Sequence, residues 1–258
     1  MLSRLAEVLV PTVGRLTVTA DTGAVLAPGS IIAANHTSLA DPAVVLAALH
    51  RLGVEPVVMA TAGLWRIPLL GRALSRGDHI PVHRGDHRRA AGCLDLAAAA
   101  LREGRLVLIY GEGGIPPRTD SAETPPVAFR SGLARLAARA GAPVVPVGQA
   151  GARRVTSGNV AKQIAGLATA PLRRPALHVH VGPPVVLGGD RTARTVQAHA
   201  AVTAAWRTAA AHLGEPAAYP VRQAAEPRHE TMSAAAPDAV PGLARRQYEV
   251  ASQARLQR

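Results

Sequence analysis

His36 and Asp41 stand five residues apart in Asn35-His36-Thr37-Ser38-Leu39-Ala40-Asp41-Pro42, directly after the apolar run Ile31-Ile32-Ala33-Ala34. A histidine ring has an ordinary pKa of about 6.5, so it can take a proton from an attacking hydroxyl at neutral pH. A carboxylate on its other ring nitrogen would fix the tautomer and stabilise the imidazolium. A sharp turn after His36 would let Asp41 reach back to it. Asp followed by Pro is also an ordinary helix start, with Asp as N-cap; the two roles are compatible. The chemistry in view is general-base removal of a proton from an attacking hydroxyl.

Two further constellations follow. His79-Ile80-Pro81-Val82-His83-Arg84 ends a short strand on a guanidinium, which binds phosphate oxygens in pairs. Leu108-Ile109-Tyr110-Gly111-Glu112-Gly113-Gly114-Ile115 runs a strand into a glycine-rich turn with one carboxylate. The turn lacks the Lys-Ser/Thr pair of a nucleotide-binding P-loop, and Glu112 has a second reading as an exposed turn residue.

Taken together these segments resemble the glycerolipid acyltransferase family, lysophosphatidic acid acyltransferase type. Asn35-His36 to Asp41 matches the N-H-x4-D block. Ile67-Pro68-Leu69-Leu70-Gly71 and then Ile80-Pro81-Val82-His83-Arg84 match the second block, although Asp78 stands where the family usually has glycine. Glu112-Gly113 matches the core of an F-P-E-G-T-R block, with Tyr110, Gly111, Gly114 and Ile115 replacing Phe, Pro, Thr and Arg. Phe129-Arg130-Ser131-Gly132 and Val144-Val145-Pro146-Val147 match a fourth block. The resemblance spans roughly residues 15 to 190. It implies catalysis by His36 and Asp41. It implies acceptor binding by Arg84, Glu112, Gly113 and Gly114, with Arg118 as a substitute for the missing arginine at Ile115 and Pro146 beside the acyl chain. Read from the residues alone, Pro146 is a structural proline in a buried strand. The implied reaction joins an acyl group from acyl-CoA or acyl-carrier protein to the hydroxyl of 1-acyl-glycerol 3-phosphate, without a cofactor or metal. Two alternatives stay open: another lipid, glycolipid or specialised-metabolite acceptor, or a non-catalytic basic membrane-binding module.

These residues need strands that deliver them and helices that cover the strands. Alternating strand and helix patterns predict an α/β fold, a three-layer αβα arrangement with a mixed sheet of about seven strands flanked by helices. Strands are expected at 15–20, 30–34, 57–60, 80–82, 106–110, 143–147 and 176–181, and helices at 41–51, 65–75, 86–102, 130–140 and 191–213. Residues 2–10 place Leu2, Leu5, Val8 and Leu9 at helical spacing, a face for the domain or for a membrane surface. The expected domain is 1–213, with 214–258 an Ala/Pro-rich, partly disordered tail.

Composition narrows the partners. The formal net charge is +12 over 258 residues, and almost all of it precedes residue 214, where 23 Lys+Arg face 12 Asp+Glu. A basic body attracts anionic lipid or phosphorylated ligands. Arg66, Arg72, Arg76, Arg88 and Arg89, with Arg153, Arg154, Arg173 and Arg174, face either such anions or plain solvent. With two Trp, three Tyr and one Phe there is too little stacking surface for a nucleic-acid partner. His178, His180 and His199 lack ligand-like spacing to carboxylates, so no metal is expected. The single cysteine, Cys93, reads as a small core residue. No G-x-S-x-G is present, which argues against a serine hydrolase. The start carries no signal-peptide pattern and no apolar run is long enough to span a bilayer. The expected location is the cytoplasmic, inner face of a membrane, held peripherally.

Overall fold

A computed structural model describes residues 2–83, 87–116 and 120–215, with the backbone alone at 87–90. The expected tail beyond 215, Arg84 and Arg118 all lie outside the described residues.

The strands are β1 (Arg15–Ala20), β2 (Ile31–Ala34), β3 (Val57–Thr61), β4 (Ile80–Val82), β5 (Val107–Tyr110), β6 (Val144–Ala150) and β7 (Ala176–Val181). The α-helices are α1 (Leu2–Val13), α2 (Asp41–Arg51), α3 (Pro68–Arg76), α4 (His87–Arg102), α5 (Gly132–Ala140), α6 (Val160–Arg173) and α7 (Arg191–His212). They form one seven-stranded sheet in the order β1-β7-β6-β2-β5-β3-β4. All neighbours are parallel except β6 and β7, so β1 and β7 run against the other five strands. The expected mixed αβα sheet is what the chain builds.

β2 sits at the centre because it can be buried on both faces. Ile31, Ile32, Ala33 and Ala34 are all fully buried, as a parallel strand covered on both sides requires. Period-two alternation sends Ile32 and Ala34 into a core with α1, α2 and α6, and Ile31 and Ala33 into a second core with α4, α5 and α7. Cys93 lies in that second core, as a small apolar residue would.

Three differences from the sequence reading have physical causes. The expected helix 65–75 is split: Ala62–Arg66 forms a 3-10 turn, Ile67 is extended, and α3 starts at Pro68. Proline disfavours a helical residue before it but suits a first helical position. β6 runs past 147 to Ala150, every residue buried. In α1 it is Ser3, Ala6 and Val10 that are buried, whereas Leu5, Val8 and Leu9 point outward. Of the expected apolar face only Leu2 packs partly against the core, while Ser3, Ala6 and Val10 are the buried side chains of the helix that lies on α2.

Candidate active site

β2 delivers Asn35 and His36 at the point where the chain leaves the sheet. Asn35 is fully buried and replaces strand pairing there. Its Nδ2 donates to Gln149 O at 3.0 Å and its Oδ1 accepts from Gln149 N at 2.8 Å. The Gln149 amide in turn donates to Thr37 Oγ1 at 3.2 Å. The turn after His36 is thus bolted to the extended end of β6.

Asp41 is the first residue of α2, with Pro42 behind it; Ala40 holds the N-cap position and makes no side-chain cap. The expected helix cap is therefore corrected. The Asp41 carboxylate turns away from its own helix and caps the preceding loop. Asp41 Oδ2 accepts from the Thr37 and Ser38 backbone N–H groups and meets His36 Nδ1 at 3.0 Å. The expected pairing of His36 with Asp41 is present. Asp41 is fully buried and the His36 side chain is 14% exposed, so one ring edge remains accessible. Burial pushes the Asp41 carboxyl up from its ordinary range, opposed by the bond to His36 and its charge.

Tyr110, the last residue of β5, stacks on the His36 ring with centroids 4.5 Å apart. Burial raises its phenol well above the usual value, with Asp41 and Glu112 adding to the shift. Gly111 must lack a side chain because Phe129 occupies the space where its Cβ would stand, 2.3 Å away. Glu112 then reaches back so that its Oε1 accepts the His36 N–H at 3.0 Å. It is buried rather than exposed, and burial raises its pKa to about 7. Gly113 completes the turn at φ +68°, a conformation that favours glycine. Its N–H is engaged by Tyr110 O at 3.2 Å.

Pro146 lies within β6 opposite Ala33, three residues short of His36. Its missing N–H falls on the β7 side, just beyond that strand's last residue, where Pro146 O instead accepts from Gly182 N at 2.9 Å. Its place supports the structural reading, and it is not among the residues that line the cavity beside the histidine turn. Arg84 and Arg118 cannot be placed in the site, being outside the described residues.

A cavity of about 230 Å³ opens beside the histidine turn, lined by Thr37, Ser38, Leu39, Ile115, Arg153 and Thr156, among others. Ser38 Oγ donates to Thr156 O at 2.8 Å and also meets Thr156 Oγ1, which ties the turn to the segment after β6. Among the described residues no group of three or more metal-ligating side chains is assembled. Asn35, Gln149, Tyr110 and Thr156 are the residues that motif reasoning missed as parts of the site. Asn35 carried a signal in its place before the histidine; Gln149 carried none, since its role depends on β6 lying beside β2. The arrangement can orient an imidazole through Nδ1, balance its positive charge and leave its other ring nitrogen free of the carboxylate.

The family model described as Acyltransferase matches residues 15–149. The chain is 29% identical over 117 residues to a chloroplastic 1-acyl-sn-glycerol-3-phosphate acyltransferase of Brassica napus, covering 45% of this chain and 31% of that protein. A chloroplastic counterpart in Arabidopsis thaliana is 29% identical over 118 residues, 46% of this chain and 31% of the relative. Each match thus spans about a third of the curated relative's length. Among solved structures, the 1-acyl-sn-glycerophosphate acyltransferase PlsC of Thermotoga maritima superimposes with a TM-score of 0.61 at 16% identity, over 82% of this chain and 78% of that one. That likeness is one of fold.

Proposed function

The chain belongs to the acyltransferase family, and from that premise we propose that it moves a fatty acyl group from a thioester donor to the free hydroxyl of 1-acyl-glycerol 3-phosphate. The product is phosphatidic acid, and the donor is acyl-CoA or acyl-carrier protein. The observation that carries this reading is the His36 Nδ1 to Asp41 Oδ2 contact of 3.0 Å at the end of a central parallel strand. With Nδ1 committed to the carboxylate, Nε2 is the nitrogen left to accept the hydroxyl proton. The acceptor oxygen attacks the thioester carbonyl, the C–S bond breaks, and the imidazolium returns its proton to the leaving thiolate. Asp41 balances the imidazolium, and Glu112 holds the His36 backbone. Arg84 is assigned the acceptor phosphate, with Arg118 beside it, and Gly113 and Gly114 frame the acceptor. No acyl-enzyme and no cofactor is needed.

The test is transfer from acyl-CoA to lysophosphatidic acid by the full chain and by His36→Ala. The variant should lose about 10²- to 10⁴-fold in rate, the usual worth of a positioned base. Undiminished transfer would sink the mechanism.

A second reading keeps the chemistry and changes the acceptor. It is favoured by Ile115, which lines the cavity beside His36 where the family block usually carries arginine. A panel of acceptors with and without phosphate decides it: indifference to phosphate favours a glycolipid or other alcohol. We assign the protein to a membrane surface, peripherally, on the basic body and the outward Leu5, Val8 and Leu9 of α1. Among the described residues no helix is long and apolar enough to cross a membrane.

A further inference from the structure

Tyr110 closes β5 beside Ala34, the last residue of β2, and so reaches the histidine that β2 delivers. Its ring lies on the imidazole with 4.5 Å between centroids and the planes 30° apart. Three buried polar atoms without a hydrogen-bond partner among the described residues gather on the groups that touch His36: Tyr110 Oη, Asp41 Oδ1 and Glu112 Oε2. The other oxygens of the two carboxylates hold His36 itself. Asp41 Oδ2 meets Nδ1 and Glu112 Oε1 accepts the backbone N–H, each at 3.0 Å. Asp41 Oδ2 also takes the Thr37 and Ser38 N–H groups, so Oδ1 is the oxygen left for a further donor.

A phenylalanine at position 110 would stack on the imidazole as well as tyrosine does. It would also avoid the cost of stripping water from a hydroxyl. What the hydroxyl adds is therefore electrostatic. Of the three atoms it is the one that can donate while the carboxylates are ionised. Burial holds the phenol protonated, helped by the charge of Asp41 and then of Glu112, so Asp41 is the stronger acceptor of the two. The other charged groups nearby are turned elsewhere. On the β6 side the histidine turn meets the neutral Asn35–Gln149 pair. Arg153, in the cavity wall, pairs with Asp120. Glu123 accepts from Gly151 N and Trp206 Nε1, and Arg130 lies along Gly113.

We propose that Tyr110 is a positioning residue for the base: its ring holds the imidazole in plane, and its hydroxyl donates to Asp41 Oδ1, directly or through one bound water. The proposal rests on the acyl-transfer reading, in which His36 is the base, and adds a member to that pair. A hydrogen bond to a buried carboxylate stabilises it most when its charge is uncompensated, which is when His36 is neutral. The hydroxyl thus loosens the hold of Asp41 on the imidazolium proton. The ring stays neutral, ready to take the acceptor's proton, to a lower pH than it would without the phenol.

The test is an NMR titration of the full chain made with ring-labelled histidine, the His36 signal being the one lost in His36→Ala. Tyr110→Phe keeps the ring, and its urea midpoint should equal or exceed the parent's. Its His36 titration midpoint should lie about half a pH unit above the parent's. Below that midpoint, kcat/KM for transfer from acyl-CoA to lysophosphatidic acid should fall about threefold, and above it less than about twofold. Tyr110→Leu removes ring and hydroxyl together. It should show the same shift and a further loss of about tenfold in kcat at every pH, with KM moving less than about twofold. Repeated in a Glu112→Gln chain, the Tyr110→Phe shift should persist. A midpoint within about 0.2 pH unit of the parent's in Tyr110→Phe would overturn the role of the hydroxyl. Equal kcat in the two variants would overturn that of the ring. Disappearance of the shift in the Glu112→Gln chain would overturn the assignment to Asp41. Each of these results leaves the acyl-transfer reading intact. A shifted midpoint in a chain that transfers acyl groups to no alcohol would keep the contact between Tyr110 and the pair and remove the reading it rests on.

Discussion

One oxygen of Asp41 carries the turn. Oδ2 accepts from His36 Nδ1, Thr37 N and Ser38 N, whereas Oδ1, equally buried, has no partner among the described residues. An asparagine can place its amide oxygen where Oδ2 stands and keep all three contacts. Asp41→Asn therefore removes the charge and leaves the loop cap. Its urea midpoint should stay the same or rise, since a buried charge is costly. Its kcat should fall about 100-fold or more, because the imidazolium loses its counter-charge. An unchanged kcat would show that only the cap matters. Glu112 gives a second separation. Its pKa is raised to about 7 by burial, above an ordinary 4.5. Below the lower value both folded and unfolded chains are protonated there and the group is neutral to stability. Between the two the unfolded chain releases its proton while the native one keeps it, so stability falls as pH rises. Glu112→Gln removes that slope. The variant should gain on the parent from pH 4.5 to 7, by at most about 3 kcal/mol. Denaturation of the two proteins at pH 4, 5.5 and 7.5 reads it; parallel curves would refute the protonation.

The elements place these residues through contacts that local sequence does not announce. Gly148 is the clearest case. A Cβ there would stand 2.1 Å from the backbone of Ala205 and Trp206, so glycine is what lets α7 lie directly on β6. Gly148→Ala should push the helix away and cost about 3 kcal/mol, read from urea unfolding; a cost below about 0.5 kcal/mol would mean that α7 shifts freely. All seven strands and most helices were legible, because β-branched runs and helix stops at Gly104 and Gly141 are local signals. α6 was not legible, and its burial explains why. The helix turns Gln163, Gly166 and Ala170 inward and leaves Val160, Ile164, Leu167 and Leu172 exposed. A pattern that expects large apolar residues on the covered face reads such a helix inside out. In α1, where the sequence left the apolar face open to the domain or to a membrane surface, Leu5, Val8 and Leu9 are likewise exposed. At the site, His36, Asp41 and Glu112 were legible from residue type and spacing. Gln149 and Tyr110 depend on which strands neighbour β2, which no local pattern encodes.

At the scale of the whole molecule the composition announced a basic body but not which surface uses it. The structure supplies an apolar counterpart: on α1, Leu5 is 53% exposed, Val8 69% and Leu9 51%. None of the three belongs to either main core, so they contribute little to folding. A helix with an outward apolar stripe on a cationic body has the composition of an interfacial anchor, where buried apolar area and attraction to anionic lipid add. Two consequences separate these contributions. Binding to vesicles rich in phosphatidylglycerol should weaken as sodium chloride is raised, because the charge contribution is screened over about 10 Å at 0.1 M salt. The triple substitution Leu5→Ser, Val8→Ser, Leu9→Ser should weaken vesicle binding by about 2 kcal/mol, some 30-fold, and leave that salt slope in place. Its urea midpoint should match the parent's, since the stripe faces away from the sheet. Unaltered vesicle binding in the triple variant would move the membrane contact off α1, and a lowered midpoint would show that the stripe serves the fold instead.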